Sequence, residues 1–148
     1  MESNVELENL LKELFCSQKF AVLSTHEKGK PYANLMAFAE TNSLKQLIFL
    51  TSRKTRKYKN LTESDHAALL IDSRSNRETD IHQATAVTVT GCVQEISSDT
   101  NKDVLNTYLS KHPYMQSFAH DADSAVFLMK VECYYIVRNF QNVMTLKM

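Results

Sequence analysis

Residues 47–61, LIFLTSRKTRKYKNL, join two contrasting patterns in one short stretch. The apolar residues 47–50 predict the end of a buried strand, and five basic residues then follow in seven positions: Arg53, Lys54, Arg56, Lys57 and Lys59. We expect Ser52 to cap a helix that runs to about Leu61. The start of a helix exposes unpaired backbone N–H groups and the positive end of its dipole, so this junction suits an anion.

The residue types around this junction indicate a phosphate. Thr51, Ser52 and Thr55 offer hydroxyl groups, and Arg56 and Lys57 follow about one turn into the predicted helix. Hydroxyl donors, backbone N–H donors and basic side chains are the groups that bind a phosphate monoester. A charge run can also be no more than a solvated helix face. The position of this run directly behind a strand favours the anion site.

The composition limits what else the chain binds. Its 148 residues suffice for one domain with a hydrophobic core, which we place at residues 1–148. The 17 basic and 17 acidic residues cancel, so the whole chain has no field that attracts nucleic acid or an anionic membrane. We expect neither as a partner.

Cysteine usage and the first residues predict a cytoplasmic location. The three cysteines are widely spaced and form no C-x-x-C pair, which argues for reduced thiols rather than disulfides or a structural zinc site. The N-terminal segment is acidic where a signal peptide is basic, and no apolar run approaches the roughly 20 residues of a membrane span.

Alternating and apolar runs predict a mainly β architecture with flanking helices. Predicted strands cover residues 20–24, 31–40, 44–51, 66–72 and 84–96, and one or two more lie within 124–148. Besides the basic segment, amphipathic helices are predicted for residues 3–17 and from about 98 to just before Pro113. Six or seven strands in hairpin order, with only three helices between them, predict a mostly antiparallel barrel.

The segment FLTSRKTRKYKNL, behind a hairpin with PYANLMAF and ahead of AVTVTGCVQEIS, resembles the pyridoxamine 5′-phosphate oxidase-like family, the FMN-binding split β-barrels. The resemblance covers about residues 8 to 140. It implies a split β-barrel of six to seven strands that binds FMN and forms a homodimer with FMN at the subunit interface. A barrel of this size cannot enclose a flavin by itself, so pairing two subunits would cover the ring.

The resemblance also implies cofactor contacts at particular positions. The segment matching Thr55, Arg56 and Lys57 would hold the FMN phosphate, with added charge from Arg53 and a hydroxyl from Ser52. Leu50 and Thr51 would lie against the flavin. The strand matching Asn34, Leu35 and Met36 would run along the isoalloxazine ring and bond its polar edge through the backbone.

Two departures from the family pattern bear on the reaction. In the vitamin-forming oxidases, basic residues stand at the positions of Asn34 and Ala39, and a C-terminal basic motif helps to bind pyridoxal phosphate. This chain ends FQNVMTLKM, without that motif. We therefore expect an FMN-dependent oxidoreductase that acts on a different, unidentified small molecule, with reduced nicotinamide as a reasonable electron donor. There are two alternatives. One is a flavin carrier or sensor without turnover, and the other is the same fold with haem or a deazaflavin as its ligand.

The remaining polar features give weaker signals. The loop 72-DSRSNRETDIH-82 is long for this chain, and the resemblance places it near the flavin, where Ser75 and Asn76 would donate hydrogen bonds. An ordinary polar connection explains the loop equally well. No histidine has a convincing metal-ligand partner nearby in sequence, so no metal site is predicted. No catalytic nucleophile is evident either, and a flavin enzyme needs none because the cofactor accepts the electrons.

Overall fold

The computed structural model describes residues 2–148 and contains seven strands. They are β1 (Phe20–Glu27), β2 (Lys30–Glu40), β3 (Gln46–Ser52), β4 (His66–Asp72), β5 (Ala86–Ile96), β6 (Ser124–Arg138) and β7 (Asn142–Lys147). The α-helices are α1 (Asn4–Ser17), α2 (Arg56–Glu63), α3 (Asp80–Gln83), α4 (Lys102–Lys111) and α5 (Gln116–Ala119), with a 3-10 turn at Pro113–Met115 before α5. Across these residues no helix combines the length and the hydropathy that a transmembrane span requires.

The strands form one antiparallel sheet that closes into a barrel. The strand order is β3-β2-β1-β4-β5-β6-β7, and a further pairing between β3 and β6 closes the first six strands. Strand β6 is long enough to pair with β3 through its first half and with β7 through its second half. The prediction of a split β-barrel with six to seven mostly antiparallel strands is confirmed.

The barrel is split between β2 and β3. These strands pair only at Phe38–Phe49, Ala39–Ile48 and Glu40–Leu47, although β2 starts at Lys30 and β3 continues to Ser52. Beyond these pairs β2 remains bonded to β1, and β3 remains bonded to β6. One backbone edge of each strand is therefore open in the gap.

Helices cover the barrel at several places. Helix α1 begins with a capping box between Ser3 and Glu6 and buries Leu7, Leu11, Leu14 and Phe15 in the barrel core. Helix α4 and the segment around α5 bury a second cluster on the outside of β2 and β3. The second predicted amphipathic helix is confirmed, but it begins at Lys102 rather than near 98 because residues 97–100 form a turn after β5.

A β-bulge distorts the pairing of β5 with β6. Thr90 pairs with Cys133 and Gly91 pairs with Val131, so Glu132 has no partner on β5. A Cβ atom on Gly91 would lie 2.2 Å from the backbone oxygen of Lys130, which leaves room for glycine alone. The bulge turns the Glu132 side chain onto the outer face of the sheet, where it reaches Cys92.

Candidate cofactor-binding site

The helix after β3 begins three residues later than the sequence predicts. Thr55 is its N-cap, with an Oγ1 that accepts a hydrogen bond from the Tyr58 N–H at 3.3 Å and donates to the Ser52 carbonyl at 2.8 Å. The prediction that Ser52 caps the helix is wrong because Ser52 still pairs with Ser124 as the last residue of β3. Its hydroxyl instead accepts a hydrogen bond from the Lys54 N–H in the turn before α2.

Three of the five basic side chains in this segment are already engaged. The Arg53 guanidinium donates to the carbonyls of Ala122 and Ser124 and lies 3.6 Å from Glu95, Lys54 lies 3.0 Å from Asp123, and Lys59 lies 2.8 Å from Glu27. These contacts fasten the start of α2 to the barrel. They also neutralise much of the positive charge that the sequence concentrates here, so Arg53 acts first as a structural anchor.

Arg56 and Lys57 differ from the other three. Among residues 2–148, neither forms a salt bridge with an acidic side chain. Arg56 is exposed, with its guanidinium carbon 5.2 Å from the centroid of the Tyr32 ring. Lys57 is half-buried, and this burial lowers the pKa of its ammonium group. Both residues lie in the first turn of α2, where backbone N–H groups have no intrahelical acceptor.

A shallow pocket of about 430 Å³ opens beside Arg56, and Lys57 is not part of its lining. Its lining comprises Glu27, Arg53, Lys54, Thr55, Arg56 and Lys59. Four of these six side chains are basic, and only Glu27 is acidic. The site has room for an anionic group that the helix terminus and Arg56 can contact together.

The predicted ring-binding segment of β2 borders the split. If the β2–β3 register continued, Met36 would face Thr51 and Leu35 would face Ser52, but these residues are not paired. Leu35 is 65% exposed, whereas Met36 is buried in the core. The Oδ1 atom of Asn34 is buried without a hydrogen-bond partner among residues 2–148.

Leu50 and Thr51 lie on opposite faces of β3. Leu50 is buried in the outer cluster covered by α4 and α5, so its side chain is occupied by the chain's own packing. Thr51 is buried on the other face, and its hydroxyl lies 3.0 Å from the Thr55 hydroxyl. The Leu50 side chain is therefore not available to a ligand in the gap.

The loop with Ser75 and Asn76 lies away from this group. The backbone N–H groups of Ser75, Asn76 and Arg77 all donate to the Asp80 carboxylate, and the Ser75 hydroxyl does the same. The loop follows the end of β4 beside the start of β1, whereas α2 contacts the end of β1. Within one chain, the structure does not bring Ser75 and Asn76 to Arg56 and Lys57.

Sequence reasoning missed an apolar row on the outer face of the sheet. Cross-strand pairing aligns Leu35, Val22, Leu70, Thr88 and Tyr135 across five neighbouring strands. Leu35, Leu70 and Tyr135 are 65%, 37% and 41% exposed. The signal in the sequence is weak because each strand contributes a single residue. Tyr32 was also missed, and its place in the PYANLMAF hairpin gave no sign that it packs against Arg56.

Comparison with solved structures supports the fold. A heme-binding protein from Mycobacterium smegmatis has a TM-score of 0.84 at 16% identity, and the alignment covers 99% of this chain and 59% of that protein. The chain thus spans less than two thirds of that neighbour's length. A Clostridium acetobutylicum protein related to general stress protein 26, of the pyridoxinephosphate oxidase family, has a TM-score of 0.76 at 19% identity, with coverage of 99% and 97%.

A third solved structure is that of a FAD-binding protein from Mesorhizobium loti. It has a TM-score of 0.70 at 14% identity, and the alignment covers 91% of this chain and 94% of that protein. No curated protein is significantly similar to this chain in sequence. The sequence model described as pyridoxamine 5′-phosphate oxidase matches residues 7–138, nearly the whole length. The split barrel described above therefore belongs to a member of the pyridoxamine 5′-phosphate oxidase family.

Proposed function

We propose that the chain binds FMN, with the phosphate held at the start of α2 by Arg56 and Lys57. The observation that carries this proposal is the contrast within the basic segment: Arg53, Lys54 and Lys59 have acidic partners, and Arg56 and Lys57 have none among residues 2–148. A dianionic phosphate would supply the missing counter-charge. Its oxygens would also accept hydrogen bonds from the unpaired N–H groups of the first helical turn. Thr55 fixes that turn through its cap.

We place the flavin ring in the gap between β2 and β3, where the pairing of these strands ends. A flavin ring needs hydrogen-bond partners for its polar edge and an apolar surface for its faces. The open backbone edge of β2 and the unpartnered Asn34 Oδ1 meet the first need, and the exposed Leu35 side chain meets the second. Asn34, Leu35 and Met36 therefore remain the proposed ring-binding segment, with Leu50 and Thr51 across the gap.

The reaction proposed is a flavin-dependent oxidation or reduction of a small molecule, with reduced nicotinamide as donor. When bound, FMN supplies the electron-transfer chemistry, and the residues of the chain hold and orient it. Oxidation of pyridoxamine phosphate itself is not proposed, because the positions of Asn34 and Ala39 lack basic residues. The rival proposal is a flavin carrier or sensor without turnover.

We further propose that two copies pair through the apolar row on the outer face. Leu35 belongs both to this row and to the ring-binding segment, so a second copy packed on the row would also cover the flavin. The same pairing would allow Ser75 and Asn76 of one copy to approach the flavin of the other. The three free cysteines are in keeping with the cytoplasm as the proposed location.

Haem is the second candidate ligand. The observation that favours it is the similarity in fold to the heme-binding protein from Mycobacterium smegmatis. The unpaired cations at α2 are a better match to a compact phosphate than to the rim of a porphyrin. A deazaflavin would share the ring-binding segment.

Absorption spectra of the purified protein test these proposals. Flavin, deazaflavin and haem have distinct visible bands, and FMN titration into ligand-free protein should quench flavin fluorescence at one equivalent per chain. Preferential binding of haem, with no binding of FMN, would overturn the flavin proposal. If FMN binds, the reduced protein is mixed with quinones as electron acceptors and reduced nicotinamide as electron donor. Repeated turnover identifies an enzyme, and absence of turnover identifies a carrier.

A further inference from the structure

A group of metal-binding side chains lies on the outer face of the sheet. Asp65, His66 and Cys92 each offer one ligand atom, and these atoms lie within 4.8 Å of one another. Cys92 Sγ is 3.9 Å from His66 Nδ1 and 3.3 Å from Glu132 Oε1. Asp65 Oδ1 is 3.7 Å from His66 Nε2. Sulfur, imidazole nitrogen and carboxylate oxygen are the donor types that bind zinc.

The fold brings these residues together from distant parts of the sequence. His66 and Cys92 are directly paired across β4 and β5, so their side chains share one face of the sheet. Glu132 joins them from β6 because the bulge leaves it without a partner and turns it toward Cys92. Sequence spacing predicted no metal site because only Asp65 and His66 are neighbours in the chain.

We propose that Cys92, His66 and Asp65 bind a zinc ion, and that Glu132, which contacts Cys92 but lies outside this group of three, moves in as the fourth ligand. Zn–S bonds of about 2.3 Å and Zn–N or Zn–O bonds of about 2.0 Å place tetrahedral ligand atoms roughly 3.3–3.6 Å apart. The distances from Cys92 Sγ are close to this range. The exposed Asp65 and His66 side chains must rotate to reach this range, because Cys92 lies nearest Nδ1 of His66 whereas Asp65 lies nearest Nε2, and one zinc ion binds only one ring nitrogen.

Metal binding changes the protonation of the thiol. In the metal-free protein, the Cys92 thiol donates its proton toward the Glu132 carboxylate. On binding, the S–H bond breaks, a bond between sulfur and zinc forms, and the proton leaves to solvent. Glu132 is then free to contact the metal with the same oxygen.

An adjoining pocket gives a metal ion access from solvent. The pocket has a volume of about 350 Å³, and both His66 and Glu132 line it. Ser24, His26 and Thr90 also line it, so its rim carries additional polar groups. The proposed centre uses none of the residues assigned to the flavin, and its test does not require bound flavin.

Cobalt titration of the full chain tests the proposal. Chelator-treated protein should develop a thiolate-to-cobalt charge-transfer band that saturates at one Co²⁺ per chain and disappears when Zn²⁺ displaces the cobalt. Cys92→Ser should abolish this band, and His66→Ala should weaken binding at least about 10-fold. Glu132→Gln should also weaken binding.

Cys16→Ser provides the matched control. Cys16 is an exposed free cysteine on α1, far in sequence from the cluster, so its loss should leave the band and the stoichiometry unchanged. Absence of a charge-transfer band in the wild-type protein would overturn the proposal. So would an unchanged cobalt affinity in His66→Ala, or a band that depends on Cys16 instead of Cys92.

Discussion

The guanidinium carbon of Arg56, the first residue of α2, lies 5.2 Å from the centroid of the Tyr32 ring on β2. A cation–π contact engages the flat face of the guanidinium and leaves its in-plane N–H donors available to another ligand. The contact also links the proposed phosphate site on α2 to the strand proposed to carry the flavin ring. One side chain thus contacts both halves of the proposed site and keeps its N–H donors available for a phosphate.

Removing the two unpaired cations should weaken FMN binding strongly. In an Arg56→Gln, Lys57→Met double variant, the side chains keep most of their length but lose their charges. Charge-assisted hydrogen bonds contribute about 1.5–3 kcal/mol each, so the loss of two should weaken FMN by about two to four orders of magnitude. Fluorescence titration with FMN measures the change.

A second double variant controls for charge alone. Lys54→Met with Lys59→Met also removes two positive charges from the same segment, but both lysines are exposed and paired with Asp123 and Glu27. Exposed ion pairs contribute roughly 0–1 kcal/mol, so FMN affinity should change by less than about 10-fold. Equal losses in the two double variants would mean that only the overall charge matters, and the phosphate assignment would be wrong.

A charge placed in the apolar row should prevent pairing of two copies. Leu35 is 65% exposed and lies in register with Val22 and Leu70. In a Leu35→Asp variant, pairing through this row would bury an unpaired carboxylate, which costs several kcal/mol. We expect wild-type protein to sediment as a dimer without FMN and the variant to sediment as a monomer.

Val5 supplies a control of equal exposure. It is 67% exposed on α1, away from the row, so Val5→Asp should leave the dimer intact. A monomeric wild-type protein at micromolar concentration, or a dimeric Leu35→Asp variant, would contradict pairing through this row.

The prediction of strand β5 was correct and the prediction of the N-cap after β3 was wrong, and the contrast shows which features a sequence can predict. The alternation of Val87 and Val89 with Thr88 and Thr90 predicted β5 correctly because strand geometry alone sends successive side chains to opposite faces. The N-cap at Ser52 was wrong because β3 continues to pair with β6 through Ser52 and Ser124, which lie 72 positions apart in sequence. A capping preference depends on neighbouring residues, so it gives no information about a partner so distant in sequence.

The division of the basic segment has the same cause. Arg53, Lys54, Arg56, Lys57 and Lys59 look alike in the sequence. Three of them are distinguished only by acidic partners on other elements, at Glu27, Glu95 and Asp123. The sequence predicts an anion site at the junction of β3 and α2, but it could not separate the three anchoring residues from the two that have no acidic partner among residues 2–148.

Gly91→Ala should destabilise the barrel where β5 passes the bulge. The added Cβ would lie 2.2 Å from the Lys130 oxygen and 3.1 Å from the Met129 side chain. Overpacking a filled site costs about 1–3 kcal/mol, and more where backbone must move, as it must here. Urea unfolding followed by circular dichroism measures the loss.

Gly29 offers a contrasting position. Gly29 has φ +77°, and no atom lies within 4 Å of a Cβ added there. Glycine is therefore favoured at this position by the backbone conformation and not by lack of space. Gly29→Asn should cost less than Gly91→Ala because asparagine tolerates this backbone region. The reverse order of the two losses would show that the close approach at Gly91 is relieved without strain.

Stability should fall in mild acid because of His112. This residue is fully buried, its Nε2–H donates to the Phe38 carbonyl at 2.6 Å, and its Nδ1 accepts from the Tyr114 hydroxyl at 3.0 Å. Burial is the largest influence on the His112 pKa and lowers it below the ordinary value of 6.5, and nearby Lys111 acts in the same direction. Bonding to Phe38 opposes this shift without reversing it.

The sign of the effect follows from proton binding. Below about pH 6.5 the unfolded chain protonates this histidine while the folded chain keeps it neutral, so the unfolded state binds more protons and stability decreases as the pH falls. Above about pH 6.5 the His112 contribution is fully present. Urea unfolding at about pH 7.5 and about pH 5.5 should therefore show a smaller pH dependence in His112→Gln than in the wild-type protein. The other titrating groups are common to both proteins and cancel in this difference. If the two proteins lose equal stability between these pH values, His112 does not carry the proton linkage that its burial predicts.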